Sequence, residues 1–232
     1  MTTKHYFTLA GTAFVLFSLV GMWSALSHYL PQPDAVFVLK ASPPPGKEWF
    51  LEQMPRYASR PGLTAMHVIP AALFMLLAPF QLSQRVRNRR PRLHRVTGRI
   101  LVGISLFIGL SGIVIGIVMP FGGSFERIIS VTIGLVFLVS LGLGVLRAMQ
   151  KRYVDHRRWM MRMLAIGFVP VTMRGLMISG VIFLDLDAPA IFGPTMFMGL
   201  IINLVFVELR LRRGNRPGVN AGVVPATSIR TT

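Results

Sequence analysis

Residues 98–149 decide the fold of this chain, with the sequence GRILVGISLFIGLSGIVIGIVMPFGGSFERIISVTIGLVFLVSLGLGVLRAM. The stretch contains two apolar runs, at about 98–120 and 127–149, joined by a short connection. A helix needs about 20 mostly apolar residues to cross about 30 Å of hydrocarbon, and each run meets this requirement. Each run is apolar on every side, which is typical of a helix in lipid rather than of an amphipathic surface helix. The stretch therefore predicts two transmembrane helices.

The same criterion finds four further spans in the 232-residue chain, at about 6–30, 62–84, 159–183 and 191–210. We predict an all-α polytopic membrane protein with six transmembrane helices, in which helices 2–5 form a central bundle and helices 1 and 6 flank it. The single transmembrane domain covers residues 1–213 and includes an outer loop at 31–61. The first run is too long for the apolar part of a secretory signal, so it is interpreted as a retained span. Residues 214–232 are predicted to be a disordered cytoplasmic tail.

The composition agrees with a membrane protein. Apolar residues make up 53% of the chain and charged residues 14%, against about 25% charged in a typical globular domain. The net charge of +17 does not indicate nucleic acid, because the basic residues fall in short blocks between apolar runs rather than on one folded face. Lipid with anionic headgroups is the partner that these blocks predict. With no cysteine, the chain has neither a disulfide framework nor a thiolate metal site.

The basic residues also predict the orientation. Residues 84–99 carry seven arginines and residues 147–162 carry six basic residues, whereas the connections after the third and fifth spans carry almost none. Since Lys and Arg are enriched in cytoplasmic loops, both basic connections and both termini are predicted to be cytoplasmic.

Two histidines at this cytoplasmic face suggest a cofactor site. His94 precedes span 3 and His156 precedes span 5, and these two spans run in the same direction. Imidazoles at matching depth on neighbouring helices are suitable axial ligands for a haem iron. The adjacent Arg95, Arg157 and Arg158 are suited to pair with haem propionates. The alternative is that these side chains contact lipid phosphates or cap helix ends.

A second polar site is predicted at the outer side. Arg174 lies within span 5, where an arginine costs at least about 2.5–3.5 kcal/mol on insertion scales, so it needs a partner or a polar cavity. His67 lies at a similar depth, and Asp185 and Asp187 lie just beyond. This site suggests a small-molecule binder or transporter, although no internal repeat indicates a coupled transporter. The alternative is that Arg174 snorkels to the outer surface.

Other polar and small residues are interpreted as structural. Arg162 and Glu208, near the inner ends of spans 5 and 6, are expected to form an ion pair. Gly112 and Gly116 form a GxxxG pair that predicts close helix packing; space for a flat cofactor is the alternative. No phosphate-binding loop, HExxH motif or GxSG motif indicates a kinase, metalloprotease or serine protease.

Four short motifs carry a resemblance to a known family. They are HVIPA at 67–71, APFQL at 78–82, LHRVTGRI at 93–100 and HRRWMMR at 156–162. Together they resemble a bacterial family of predicted membrane proteins of unknown function, over about residues 60–183. The resemblance implies a location in the bacterial inner membrane and brings no activity with it.

The chain is more distantly similar to the six-helix dihaem b-type cytochromes of the ascorbate-reducible kind. That similarity implies that His67, His94 and His156 correspond to haem ligands on helices 2, 3 and 5. Span 4 has no histidine, so the similarity implies at most one haem b, between His94 and His156, and a membrane redox partner or quinone. The function is therefore that of a membrane protein of unknown activity, with haem electron transfer and small-molecule binding as specific alternatives. The oligomeric state stays open.

Overall fold

The computed structural model describes Arg56 and residues 59–214, and nearly all of these residues are helical. The helices are α1 (Pro61–Leu82), α2 (Gln84–Arg89), α3 (Pro91–Val118), α4 (Gly123–Met149), α5 (Tyr153–Gly167), α6 (Val169–Phe183) and α7 (Ala188–Gly214). The predicted first span, most of the predicted outer loop and the predicted tail beyond Gly214 lie outside the described residues.

Five helical segments are long and apolar enough to cross a membrane: α1, α3, α4, α5 together with α6, and α7. They correspond to the predicted spans 2–6, so the architecture is that of an all-helical, multi-pass membrane protein. Neighbouring segments are joined by short connections and run in alternating directions.

Two helices begin about two turns earlier than predicted. Helix α3 begins at Pro91 and α5 begins at Tyr153, so His94 and His156 lie inside their helices rather than before them. The physical reason is that hydropathy detects the part of a helix that lies in lipid, while a polar first turn continues the same helix into water. Proline at the first position also favours a helix start, because its missing N–H has no partner there in any case.

The segment formed by α5 and α6, which corresponds to predicted span 5, is broken at Phe168. Pro170 has no N–H to donate to the carbonyl of Ile166, which interrupts the helix at this point. Asn203 of α7 bridges the break: its Nδ2 donates to the Ala165 carbonyl at 3.0 Å, and its Oδ1 accepts from the Thr172 hydroxyl at 2.9 Å. A neighbouring helix thus satisfies polar groups at a break in the apolar region, as lipid cannot.

The packing order makes α7 part of the bundle, with one face packed and the other exposed. Helix α1 packs against α3, α3 against α4, and α4 against both α5 and α7, while α7 also contacts α5 and α6. Leu200 of α7 belongs to the buried core. The structure differs here from the prediction of a merely flanking last helix, because an all-apolar helix gives no sequence signal for which of its faces meets protein.

Phe74 of α1 lies at the centre of the core. Its ring centroid is 6.0 Å from that of Phe137 and 6.3 Å from that of Phe168. A Cβ at position 167 would lie 2.6 Å from the Phe74 ring, so Gly167 is the residue that lets this ring reach the break between α5 and α6.

The glycines of α3 and α4 support the packing interpretation. A Cβ on Gly116 would collide with Ser130, and one on Gly134 would collide with Ile113. These two helices therefore approach each other as closely as their backbones allow. Gly112 has a different role, because its nearest neighbour is the imidazole of His67, 3.1 Å from the position of an added Cβ.

Candidate functional site

The end of the bundle that contains α2, the starts of α3 and α5 and the end of α7 is called the basic end below, because it carries both arginine-rich connections. Both predicted haem ligands, His94 and His156, lie at this end, each within the first turns of its helix.

Gln81 of α1 holds the first turns of α3. Its Nε2 donates to the Thr97 hydroxyl at 2.5 Å and lies 3.3 Å from the His94 carbonyl. A Cβ on Gly98 would lie 3.3 Å from Gln81 Oε1, so a larger residue there would press on this side chain. The APFQL and LHRVTGRI motifs thus form one local unit that fixes the backbone of His94.

The imidazole of His94 has an unusual environment. Its Nδ1 is buried and has no hydrogen-bond partner among the described residues. The ring lies within electrostatic range of His156 and Arg87. Most buried polar atoms in proteins are hydrogen-bonded, so a buried nitrogen without a partner requires a water, an ion or a ligand to explain it.

The imidazole of His156 is held by a backbone carbonyl. Its Nδ1 lies 2.8 Å from the Gly144 carbonyl oxygen of α4. A carbonyl only accepts, so Nδ1 carries the proton, and in the neutral ring Nε2 keeps its lone pair. Histidines that bind metals are commonly oriented in this way, with the second ring nitrogen donating to a carbonyl or carboxylate.

The three predicted propionate partners are placed differently from one another. Arg95 and Arg157 are exposed at the basic end. Arg158 is two residues, or roughly 200°, around α5 from His156. Its guanidinium lies 3.3 Å from Asp155, and the side chain faces a cavity against α7. The structure brings the two histidines near each other and places Arg158 on another side of α5.

Arg162 and Glu208 form a two-pronged ion pair between α5 and α7. Nε lies 2.5 Å from Oε1, and Nη2 lies 3.1 Å from Oε2. The Trp159 ring centroid is 4.8 Å from the Arg162 guanidinium carbon. The residues proposed from the sequence as an ion pair therefore meet; that their role is structural stays a prediction.

His67 and Arg174 lie toward the opposite end of the bundle. Ser111 donates its hydroxyl proton to the Phe107 carbonyl, and its Oγ lies 3.0 Å from His67 Nδ1. His67 also forms a hydrogen bond with the backbone of Ile108. His67 and Arg174 are within electrostatic range of each other. Arg174 Nη1 also lies 3.4 Å from the Pro170 carbonyl.

The two predicted aspartates lie between α6 and α7. Asp187 accepts from the Ala190 amide at 3.3 Å, at the start of α7. Asp185 has a positive φ of 52°, a backbone conformation that aspartate tolerates better than most residues. The outer site contains His67, Ser111 and Arg174.

Sequence reasoning missed Glu126. Its side chain is only 6% exposed, and its carboxylate accepts from the amides of Phe121, at 2.6 Å, and Gly122. Arg56 donates to the Pro120 carbonyl at 2.6 Å and lies over the Phe121 ring. The sequence feature that could have identified Glu126 is the Gly-Gly pair just before it. This pair indicates a turn that leads into a helix, and a carboxylate is favoured in the first turn of a helix.

Among the described residues, no group of three or more His, Cys, Asp or Glu side chains is arranged to hold a metal ion. In comparisons with known proteins, residues 64–211 match the model of a family described as "Predicted membrane protein (DUF2306)". No curated protein and no solved structure matches the chain. The resemblance to a membrane protein family of unknown function is thereby supported, whereas the similarity to b-type cytochromes stays a proposal.

Proposed function

The chain belongs to this family of predicted membrane proteins, and we propose that it is a membrane electron-transfer protein that holds one haem b between His94 and His156. The observation that carries this proposal is the buried Nδ1 of His94, which has no hydrogen-bond partner among the described residues, on a ring within electrostatic range of His156. In this proposal the protein lies in the bacterial inner membrane with its basic end in the cytoplasm, as the arginine distribution predicts.

The donor set suits haem better than a metal ion bound by protein alone. A haem brings the porphyrin nitrogens with it, so the protein has only the axial ligands to supply. Two imidazoles are therefore enough, whereas an ion bound without a porphyrin needs three or more side chains. The described residues offer no such larger group.

The chain's own residues would orient the two ligands. The Gly144 carbonyl fixes the tautomer of His156 and leaves Nε2 free to bind. Gln81 holds the backbone of α3 at His94 through the His94 carbonyl and Thr97. Arg95 and Arg157, exposed at the same end, provide positive charge for carboxylates. The haem, when bound, supplies one-electron chemistry.

An absorption spectrum of the protein, purified from haem-sufficient cells and measured before and after dithionite reduction, tests the proposal. We expect a sharp α-band in the reduced protein that is lost in His94→Ala and in His156→Ala. His67→Ala is the matched control, since it removes an imidazole at the opposite end of the bundle and should keep the band. A colourless wild-type protein, or equal loss of the band in all three variants, would contradict the proposal.

A second candidate function is small-molecule binding at His67, Ser111 and Arg174. It is favoured by the polar surroundings of His67, whose Nδ1 lies 3.0 Å from Ser111 Oγ and whose ring is near the cationic side chain of Arg174. This combination suits a lipid-soluble molecule with hydroxyl and carbonyl oxygens, such as a quinone and its quinol. This candidate is supported if wild type binds a short-chain quinone more tightly than His67→Ala and Arg174→Gln do. Equal affinity in all three proteins would exclude it.

A further inference from the structure

A small cavity opens between α5 and α7 at the basic end. Its volume is about 170 Å³, and it is lined by Arg158, Arg162, Glu208, Leu211 and Arg212. We call these five residues the α5–α7 notch. A single water needs only about 10–15 Å³ of such space, so the notch has room for a larger polar group. It does not include His94 or His156, and the inference below is independent of the haem proposal.

The notch has an excess of positive charge. Three of its residues are arginines and only Glu208 is acidic. Glu208 is already occupied by the Nε and Nη2 atoms of Arg162. Arginine has five N–H donors, so the Nη1 group of Arg162 and one proton of Nη2 are still available to a second acceptor. The carboxylate thus orients this guanidinium without using all of its donors.

The two other arginines add to this excess. Arg158 shares Asp155 with Arg152, so one carboxylate serves two cations. Arg212 is within electrostatic range of Glu208, but among the described residues it forms no ion pair within 4.0 Å. The group that best completes the notch is therefore an anion with several acceptor oxygens.

The notch lies at the depth of lipid headgroups. Trp159 stacks on Arg162, and tryptophan is enriched at the boundary between hydrocarbon and water. The uncharged part of helix α7 ends at Val207, next to Glu208 of the notch, and the helix continues through Arg210 to Arg212 and Arg213. On the apolar side of this boundary, Val205 and Ile201 lie one and two turns before Glu208 on the same face of α7, and they are 52% and 39% exposed. A polar cavity thus adjoins an apolar helix surface.

We propose that the α5–α7 notch binds the phosphate of an anionic phospholipid headgroup, with the acyl chains against Val205 and Ile201. The fork of an arginine guanidinium matches phosphate oxygens and is favoured over other side chains for this contact. Basic pockets between transmembrane helices bind the headgroups of anionic lipids in this way. Free inorganic phosphate shares the chemistry of the headgroup but not the contact with the apolar surface.

The test compares the double variant Arg158→Gln/Arg212→Gln with wild type in a mild detergent. The matched control is Arg99→Gln/Arg213→Gln, which removes the same charge from exposed positions outside the notch. Binding of phosphatidylglycerol, phosphatidylcholine and inorganic phosphate is followed by lipid retention in native mass spectrometry and by the shift in Tm. About 0.15 M salt is used, because long-range attraction is then screened beyond about 8 Å.

We expect wild type and the control to prefer phosphatidylglycerol over phosphatidylcholine. The notch variant should bind phosphatidylglycerol at least about tenfold more weakly, which corresponds to about 1.4 kcal/mol of binding free energy. Equal losses in the notch and control variants would overturn the proposal. Stabilisation by inorganic phosphate as strong as that by the lipid would overturn the assignment to a lipid. If the double variant does not fold, Arg212→Gln alone is compared with Arg213→Gln by the same criteria.

Discussion

Asn203 provides the sharpest test of how α5, α6 and α7 are held together. We predict that Asn203→Leu destabilises the protein without altering its core volume much, because leucine is similar in size but makes no hydrogen bonds. The variant loses the contact to the Ala165 carbonyl, at 3.0 Å, and the contact to the Thr172 hydroxyl, at 2.9 Å. Both contacts join α7 to the broken segment, one on each side of the break.

The expected magnitude follows from these two bonds. Interhelical hydrogen bonds in membrane proteins contribute about 0.6 kcal/mol each on average and about 1.7 kcal/mol at most. Asn203→Leu should therefore lower the free energy of unfolding by about 1.2 kcal/mol, with about 3.4 kcal/mol as the upper bound. Thr172→Val removes one bond and should cost about half as much. In the Asn203→Leu background the same threonine substitution should cost almost nothing.

Reversible unfolding in mixed micelles of lipid and detergent, followed by circular dichroism, measures these free energies. Thr132→Val is the matched control, because the Thr132 hydroxyl is exposed and donates only to Ile128 of its own helix. We expect that control to change stability by less than about 0.5 kcal/mol. The bridge across the break does not stabilise the protein if Asn203→Leu is as stable as wild type. The same conclusion follows if the losses of unfolding free energy from the Asn203 and Thr172 substitutions simply add in the double variant.

Three further predictions concern packing and buried charge. Gly144→Leu should lower the free energy of unfolding by about 1–3 kcal/mol, because the added side chain overpacks α4 against α5. Gly142→Leu should be neutral, because a Cβ at that position meets nothing within 4 Å. The unfolding free energies of both variants test this, and equal costs would contradict it. Glu126→Ala should cost about 1.5–3 kcal/mol because buried amides lose a charged acceptor, and Glu126→Gln should cost less; a reversed order of their Tm values would contradict this. Glu208→Gln should cost less than about 1 kcal/mol, since the ion pair with Arg162 is partly exposed, and should leave any reduced α-band intact; loss of that band would give the pair a role in the site.

The sequence predicts the helices of this protein well because their constraint is local. A span must be long and apolar whatever it packs against, and all five membrane-length segments of the described part coincide with predicted spans. The first residues of a helix are harder to predict from the sequence, because the polar turns that carry His94 and His156 do not resemble a helix embedded in lipid. That α7 packs within the bundle was also missed, because Leu200 differs in no visible way from apolar residues that face lipid.

The candidate haem site can be predicted only in part from the sequence, for a different reason. The sequence places His94 and His156 at one end of the bundle because direction and depth follow from the count of spans. The groups that orient them lie far away along the chain: Gly144 contributes a carbonyl, which every residue has, and Gln81 is one of several amides. Such partners are defined by the tertiary arrangement, so composition and spacing do not identify them.

The haem content of the purified chain is the most direct test of haem binding between His94 and His156. Pyridine haemochrome analysis, normalised to protein by amino-acid analysis, measures the number of b-type haems per chain. We predict one haem per chain in wild type and in His67→Ala, and none in His94→Ala or His156→Ala. Wild-type protein that contains no haem, or variants at His94 and His156 that keep the full amount, would contradict it.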